Sequence, residues 1–168
     1  NLILPNATFT SLENIGRATT EGVEVFASLS ITDRFNLRVD YTYTDATDDD
    51  TGLELLRRPK HRASLSATWR PLDHLSISTT MIYVGSEVDG NRSFSIPRLN
   101  TDPYFVANLA IEYEVRKDVS LFARADNLFD ERYQDPTGFQ RPGFGFVAGV
   151  RVAFDVKARQ PRMNATEI

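Results

Sequence analysis

The stretch Phe35-Asn36-Leu37-Arg38-Val39-Asp40-Tyr41-Thr42-Tyr43-Thr44 decides the fold class. Its odd positions are all apolar or aromatic and its even positions all polar. Side chains alternate across a β-strand, so this run places two opposite chemistries on the two faces of one extended segment. The pattern recurs along the chain. Val23, Val25, Ala27, Leu29 and Ile31 stand against Glu24, Ser28 and Ser30; Ala63, Leu65, Ala67 and Trp69 against Arg62, Ser64, Ser66, Thr68 and Arg70. Leu75, Ile77, Thr79, Met81 and Tyr83 oppose Ser76, Ser78 and Thr80; Phe105, Ala107, Leu109, Ile111, Tyr113 and Val115 oppose Asn108, Glu112 and Glu114. Val119, Leu121, Ala123 and Ala125 oppose Ser120, Arg124 and Asp126, and Phe144, Phe146, Ala148, Val150, Val152 and Phe154 oppose Gly145, Gly149 and Arg151. No segment carries a helical period. The reading is all-β: about seven to eight long antiparallel strands, counting a remnant at residues 1–4. Each runs to about ten residues or more, whereas globular strands usually have about five or six and tilted membrane strands about 9–11.

The connections alternate in length. Short turns fall at 32–34, 71–73 and 116–118, and long polar loops at 5–16, 45–59, 85–103 and 128–142. Short turns on one rim and long loops on the other characterise outer-membrane barrels. On the apolar face, aromatics gather near strand ends (Phe35, Tyr41, Tyr43, Trp69, Tyr83, Phe105, Tyr113, Phe144, Phe146, Phe154), and small or aliphatic residues such as Val39, Ile77, Leu109 and Val150 occupy the middles. Amphipathic rings at both interfaces form the girdles of membrane barrels. The other face carries Arg38, Asp40, Arg62, Arg70, Glu112, Glu114, Arg124, Asp126 and Arg151 and must be wet or laced with ion pairs. A soluble barrel that lines its pocket with the apolar face obeys the same alternation; strand length and loop asymmetry favour the membrane orientation, with lipid as the partner of the apolar face.

Composition bounds the function. The 168 residues are 41 % hydrophobic and 25 % charged, and no apolar run approaches the length of a spanning helix. A net charge of -4 argues against nucleic acid as a partner. Cysteine is absent and there are only 2 His, which removes thiolate chemistry, disulfides and an all-histidine metal centre. No nucleophile elbow, phosphate loop or paired-carboxylate arrangement can be argued, so neither an enzyme nor a cofactor is expected. Asp48-Asp49-Asp50 with Gly52 and Glu54 fails the spacing of a calcium loop. The sequons at Asn6, Asn91 and Asn164 carry no weight. No basic region followed by an apolar core opens the chain, so no signal peptide is expected within it.

Several segments together resemble the C-terminal barrel of TonB-dependent outer-membrane receptors, most closely the cobalamin and siderophore branch. They are Asn14-Ile15-Gly16-Arg17-Ala18 with Gly22-Val23-Glu24-Val25; Tyr41-Thr42-Tyr43-Thr44-Asp45-Ala46; and Arg57-Arg58-Pro59-Lys60-His61. The most specific is Asn127-Leu128-Phe129-Asp130 with Tyr133, followed by Pro142-Gly143 and a last strand ending in Phe154. The resemblance implies a barrel of about 22 strands closed around an N-terminal plug, of which this chain holds the last third. Residues 1–154 would be that barrel portion and 155–168 a polar, disordered tail. No plug and no TonB box are expected here, so the chain reads as a fragment of a longer receptor or a truncated reading frame. By resemblance its partners are the missing plug and strands, TonB acting through that plug, and the barrel-assembly machinery. That machinery would read Phe146, Val150, Val152 and Phe154. The implied function is energy-coupled uptake of a scarce nutrient such as a ferric siderophore or cobalamin, in the cell outer membrane. The alternative is a small autonomous outer-membrane barrel of structural or adhesive role.

Two readings stand on the residues themselves. Asn127 and Asp130 can bond local backbone at a strand exit. Loops on a rigid barrel carry recognition, so Arg57, Arg58, Arg92, Arg98 and Arg141 are candidates to attract an anionic chelate, with Tyr104 and Phe139 to stack on a planar one. The bland alternative is that these arginines pair with neighbouring acids.

Overall fold

The computed structural model describes residues 2–5, 10–15, 17–90 and 98–154. Arg92, the three sequons and the segment 155–168 lie outside the described residues. Every regular element among them is a strand: β1 (Leu2–Pro5), β2 (Leu12–Ile15), β3 (Ala18–Thr32), β4 (Phe35–Asp48), β5 (His61–Leu72), β6 (Leu75–Val84), β7 (Val88–Asp89), β8 (Leu99–Asn100), β9 (Tyr104–Arg116), β10 (Val119–Asp126) and β11 (Gly145–Val152). Seven of these form one antiparallel sheet in the order β3-β4-β5-β6-β9-β10-β11, a meander that follows the chain. The pair β1–β2 and the pair β7–β8 are separate two-stranded ladders.

The strand count and the all-β class agree with the sequence. Three details differ. The segment 5–16, expected as a loop, contains β2, which pairs with β1. Strands β3 and β4 run on to 15 and 14 residues, because Ala18–Gly22 and Thr44–Asp48 continue the ladder in register. The loop at 85–103 holds the short β7–β8 ladder.

Register converts the alternation into two continuous surfaces. Residues directly opposite in an antiparallel pair share a face. Ala27, Val39, Leu65, Met81 and Ala107 form one row across five strands, and Leu29, Leu37, Ala67, Thr79, Leu109, Ala125 and Phe146 another across all seven. Apart from Phe129, which stacks on Phe105 at one end, most of this apolar face stays open. Val25, Leu29, Trp69, Tyr113, Val150 and Phe146 are all exposed, and among the described residues the buried hydrophobic ones are Ala46, Val84 and Ala107. A soluble domain buries such a surface in a core; a membrane barrel turns it to hydrocarbon.

The opposite face carries Arg38 with Asp40 and Arg124 with Asp126, each pair two residues apart on one strand, and Arg151 bonded to Glu112 at 2.7 Å. It also holds two aromatics outside the sequence pattern, Phe26 and Phe122. Each lies beneath a guanidinium, Arg38 at 5.4 Å and Arg151 at 5.6 Å from the ring centroid. The outer end of the Phe122 ring reaches over Gly149, where an added Cβ would sit 2.8 Å from it. A side chain there would have to displace the ring.

Candidate functional site

The two rims of the sheet are built differently. One rim consists of two-residue turns, at 33–34, 73–74 and 117–118. Arg34 ties two of them together by donating to the Pro71 carbonyl at 3.0 Å and pairing with Asp73 at 2.7 Å. The other rim gathers the connections β4–β5, β6–β9 and β10–β11, all long.

The long-loop rim is ordered by side chains that replace missing ladder bonds. At the exit of β10, Asn127 and Asp130 both take the left-handed conformation, at φ 50° and 51°, which Asn and Asp tolerate better than most residues. Asn127 is buried. Its Oδ1 accepts from the Glu131 amide at 2.9 Å, and its Nδ2 donates to the carbonyls of Glu131 and Pro142 at 2.9 and 3.1 Å. Its own amide donates to Asn108 Oδ1 at 2.9 Å. Asp130 Oδ1 accepts from the Phe144 amide at 2.8 Å, and an added Cβ at Gly143 would collide with that oxygen. One buried amide and one carboxylate thus fold the start of the 128–142 loop back onto β9 and β11. Leu128 donates its amide to the Ala107 carbonyl at 2.8 Å, and Phe129 stacks on Phe105 with centroids 6.0 Å apart. Tyr133 stacks on Tyr104 at 4.1 Å.

The candidate contact residues fall on this rim. Arg57 pairs through Nε with Asp89 at 2.8 Å and keeps half of its side chain exposed. Arg58 donates to the Arg57 carbonyl at 3.0 Å and is exposed. Arg98 donates to the Glu54 carbonyl at 2.6 Å, and Arg141 lies 3.6 Å from Asp135. Tyr104 is half-buried and its hydroxyl donates to Asp135 at 3.4 Å; Phe139 is exposed. Arg57 and Arg98 therefore engage groups of a neighbouring loop and Arg58 and Arg141 groups of their own, while several still reach solvent. At the far end of the sheet, Phe146, Val150 and Val152 stand exposed on β11, and Phe154 beyond it is 83 % exposed. The sequence reasoning missed Asp89. It has no exposed surface and lies among the loops, and only the small Val88-Asp89-Gly90 turn signal marked it.

Two clefts open between the loops. One, of about 380 Å³, lies between 99–104 and 131–140 and is lined by Tyr104, Tyr133, Asp102, Glu131, Gln134 and Thr137 among others. The second, of about 320 Å³, brings Arg58, Lys60 and His61 beside Glu54 and Glu87. The Glu54 bond and the charges of Glu54 and Asp45 raise the Lys60 pKa, so this ammonium stays charged. Burial raises the Glu87 pKa, and the nearby carboxylates Asp89 and Asp135 push it further the same way. Among the described residues no group of acids and histidines could hold a metal ion.

Comparison with known proteins places this geometry. The chain is 29 % identical over 134 residues to a ferric enterobactin receptor of Pseudomonas aeruginosa, covering 76 % of this chain and 18 % of that protein. It is 28 % identical over 152 residues to an iron-regulated outer membrane virulence protein of Vibrio cholerae, covering 88 % and 23 %. It thus spans about a fifth of the length of the curated relatives it matches. Among solved structures, its fold resembles a ferric-catecholate import receptor of Escherichia coli (TM-score 0.70, 21 % identity, 90 % of this chain and 23 % of that one). It also resembles the ferripyoverdine receptor of Pseudomonas aeruginosa (TM-score 0.68, 20 % identity, 80 % and 19 %). A family model described as "TonB dependent receptor-like, beta-barrel" matches residues 1–128. An open meander with a bare apolar face, all its long loops on one rim and this match over most of its length make the chain a member of the TonB-dependent receptor β-barrel family of the outer membrane.

Proposed function

We propose that this chain supplies part of the barrel wall and outer binding rim of a receptor for energy-coupled uptake of a scarce nutrient, a ferric siderophore or cobalamin. The observation that carries the reading is the convergence of three long loops on one rim with Arg57, Arg58, Arg98 and Arg141 among them. A guanidinium whose Nε is engaged still presents two terminal nitrogens, so Arg57 can hold Asp89 and meet an anionic ligand at once. Relatives named for ferric enterobactin and iron regulation support an iron chelate over cobalamin. In this reading the energy comes from TonB through a plug that is not part of these residues, and Phe154 with its strand is read by the barrel-assembly machinery.

The test uses the full-length receptor that contains this segment. Arg58→Ala combined with Arg141→Ala should weaken ferric-enterobactin binding to outer-membrane vesicles while receptor abundance stays unchanged. Unaltered binding would remove these loops from recognition. The small-barrel alternative has its own readout. Seven strands leave two unpaired edges, which hydrocarbon does not tolerate, so the isolated chain should aggregate. A monodisperse, heat-resistant monomer in detergent would favour the autonomous barrel instead.

A further inference from the structure

Asp89 is a fully buried carboxylate on a rim of polar loops. Burying a charge is unfavourable unless it is paired and hydrogen-bonded. Its Oδ1 accepts from Arg57 Nε and from the Gly90 amide, both at 2.8 Å, and its Oδ2 accepts from the Thr137 amide at 2.8 Å. These donors belong to three different connections: Arg57 to β4–β5, Gly90 to β6–β9 and Thr137 to β10–β11. Arg57 is held a second time, its amide donating to the Val88 carbonyl at 2.8 Å. It is also a non-glycine residue at φ 59°, a conformation that persists only where surroundings enforce it. On the other side, the ladder that pairs Asp89 with Leu99 and Val88 with Asn100 sets one wall of the 380 Å³ cleft, and Thr137 belongs to the opposite wall.

We infer that Asp89 is the positioning residue of the loop rim, tying all three loops to one point so that the cleft between 99–104 and 131–140 keeps its width before any ligand arrives. The two oxygens divide the work. Oδ1 governs where the β4–β5 loop lies, through Arg57. Oδ2 governs the separation of the cleft walls, through Thr137. A preset cleft lowers the ordering penalty of binding, and a buried carboxylate at the meeting point rejects loop arrangements that would leave it unpaired. The inference does not depend on which ligand is carried.

The division predicts a pattern that general destabilisation would not produce. In the full-length receptor, nitroxides at Asp102 and Gln140 read the cleft width, and nitroxides at Leu53 and Gln140 read the placement of the β4–β5 loop. A pair at Asp33 and Lys117 on the short-turn rim is the control. The unaltered receptor should give a single narrow distance for each pair. Asp89→Ala should abolish the narrow distance for both loop pairs and spare the control. Arg57→Gln should abolish it for Leu53–Gln140 and leave Asp102–Gln140 narrow. If Asp89→Ala disturbs the control pair as well, the Arg57→Gln pattern alone decides. Narrow distances for both loop pairs in Asp89→Ala, or equal loosening of both in Arg57→Gln, would overturn the inference.

Discussion

The two rims of this sheet solve the same problem, ending a strand, by opposite means. On the short-turn rim the chain reverses in two residues and local geometry does the work; its ion pairs stand in water, with Arg34 51 % and Asp73 88 % exposed. On the long-loop rim, buried polar groups do it: Asn127 at 4 % and Asp89 at 0 % exposure, every oxygen bonded. Exposed pairs contribute little because water screens them and side-chain entropy opposes them. Buried ones contribute little net stability but penalise every arrangement that breaks them. One rim is therefore tolerant and the other specific, which is where recognition is expected.

The largest expected effect comes from the wall that holds the rims apart. Val39 lies mid-strand on the bare apolar face and Asp40 on the other. In the full-length receptor, Val39→Arg should reduce folding stability by about 2–4 kcal/mol and Asp40→Arg by much less, measured by refolding into vesicles across a denaturant series. Equal losses would mean the faces are misassigned. Next is Asn127→Ala, which leaves the Glu131 amide and two carbonyls without their partner. Asn127 is buried but Glu131 and Pro142 reach water, which can take over part of the lost bonding, so the total loss should be about 1–3 kcal/mol. The loss should appear as faster amide exchange at Glu131 and Phe144. Asp73→Ala on the short-turn rim should leave both exchange and stability essentially unchanged; a loss comparable to that of Asn127→Ala would erase the contrast.

The smallest effect is one of pH. At Asp89 burial acts to raise the pKa, but the Arg57 bond and the Thr137 and Gly90 amides prevail and lower it. A depressed folded-state value means its contribution is present above the unfolded value and is lost only as pH falls through the folded one. Glu87 runs the other way. Burial, then Asp89 and Asp135, raise its pKa against a smaller opposing pull from Arg57 and Arg58. Ionised Glu87 therefore weakens the loop cluster at neutral pH, and that strain fades as pH drops through its raised value. Exchange protection at the Thr137 amide, corrected for intrinsic rates, should rise on mild acidification and then collapse in strong acid. Glu87→Gln should be more protected at neutral pH and lack the rise.

The fold was largely legible in the sequence because one rule, alternation, was written seven times over, and register then followed from the short turns. Phe26 and Phe122 escaped it. Their place on the polar face depends on an arginine one strand away and, for Phe122, on a glycine opposite. The loop rim was only half legible. Asn127 and Asp130 announce themselves by residue type at a strand exit, and Arg57 by its charge in a loop. Asp89 did not, since its three partners are 32, 1 and 48 residues away. The contacts 32 and 48 residues away belong to the assembled sheet, not to any local pattern.

The arrangement of rims can be tested in one experiment. Single cysteines are placed at Asp50, Gln140, Asp73 and Lys117 of the full-length receptor in a background without other cysteines, and intact cells are exposed to a membrane-impermeant maleimide. Labelling at Asp50 and Gln140, with Asp73 and Lys117 protected until the outer membrane is opened, is the expected result. Labelling of Asp73 and Lys117 on intact cells, with Asp50 and Gln140 protected, would turn the barrel wall over and put the arginine-bearing loops on the inner side.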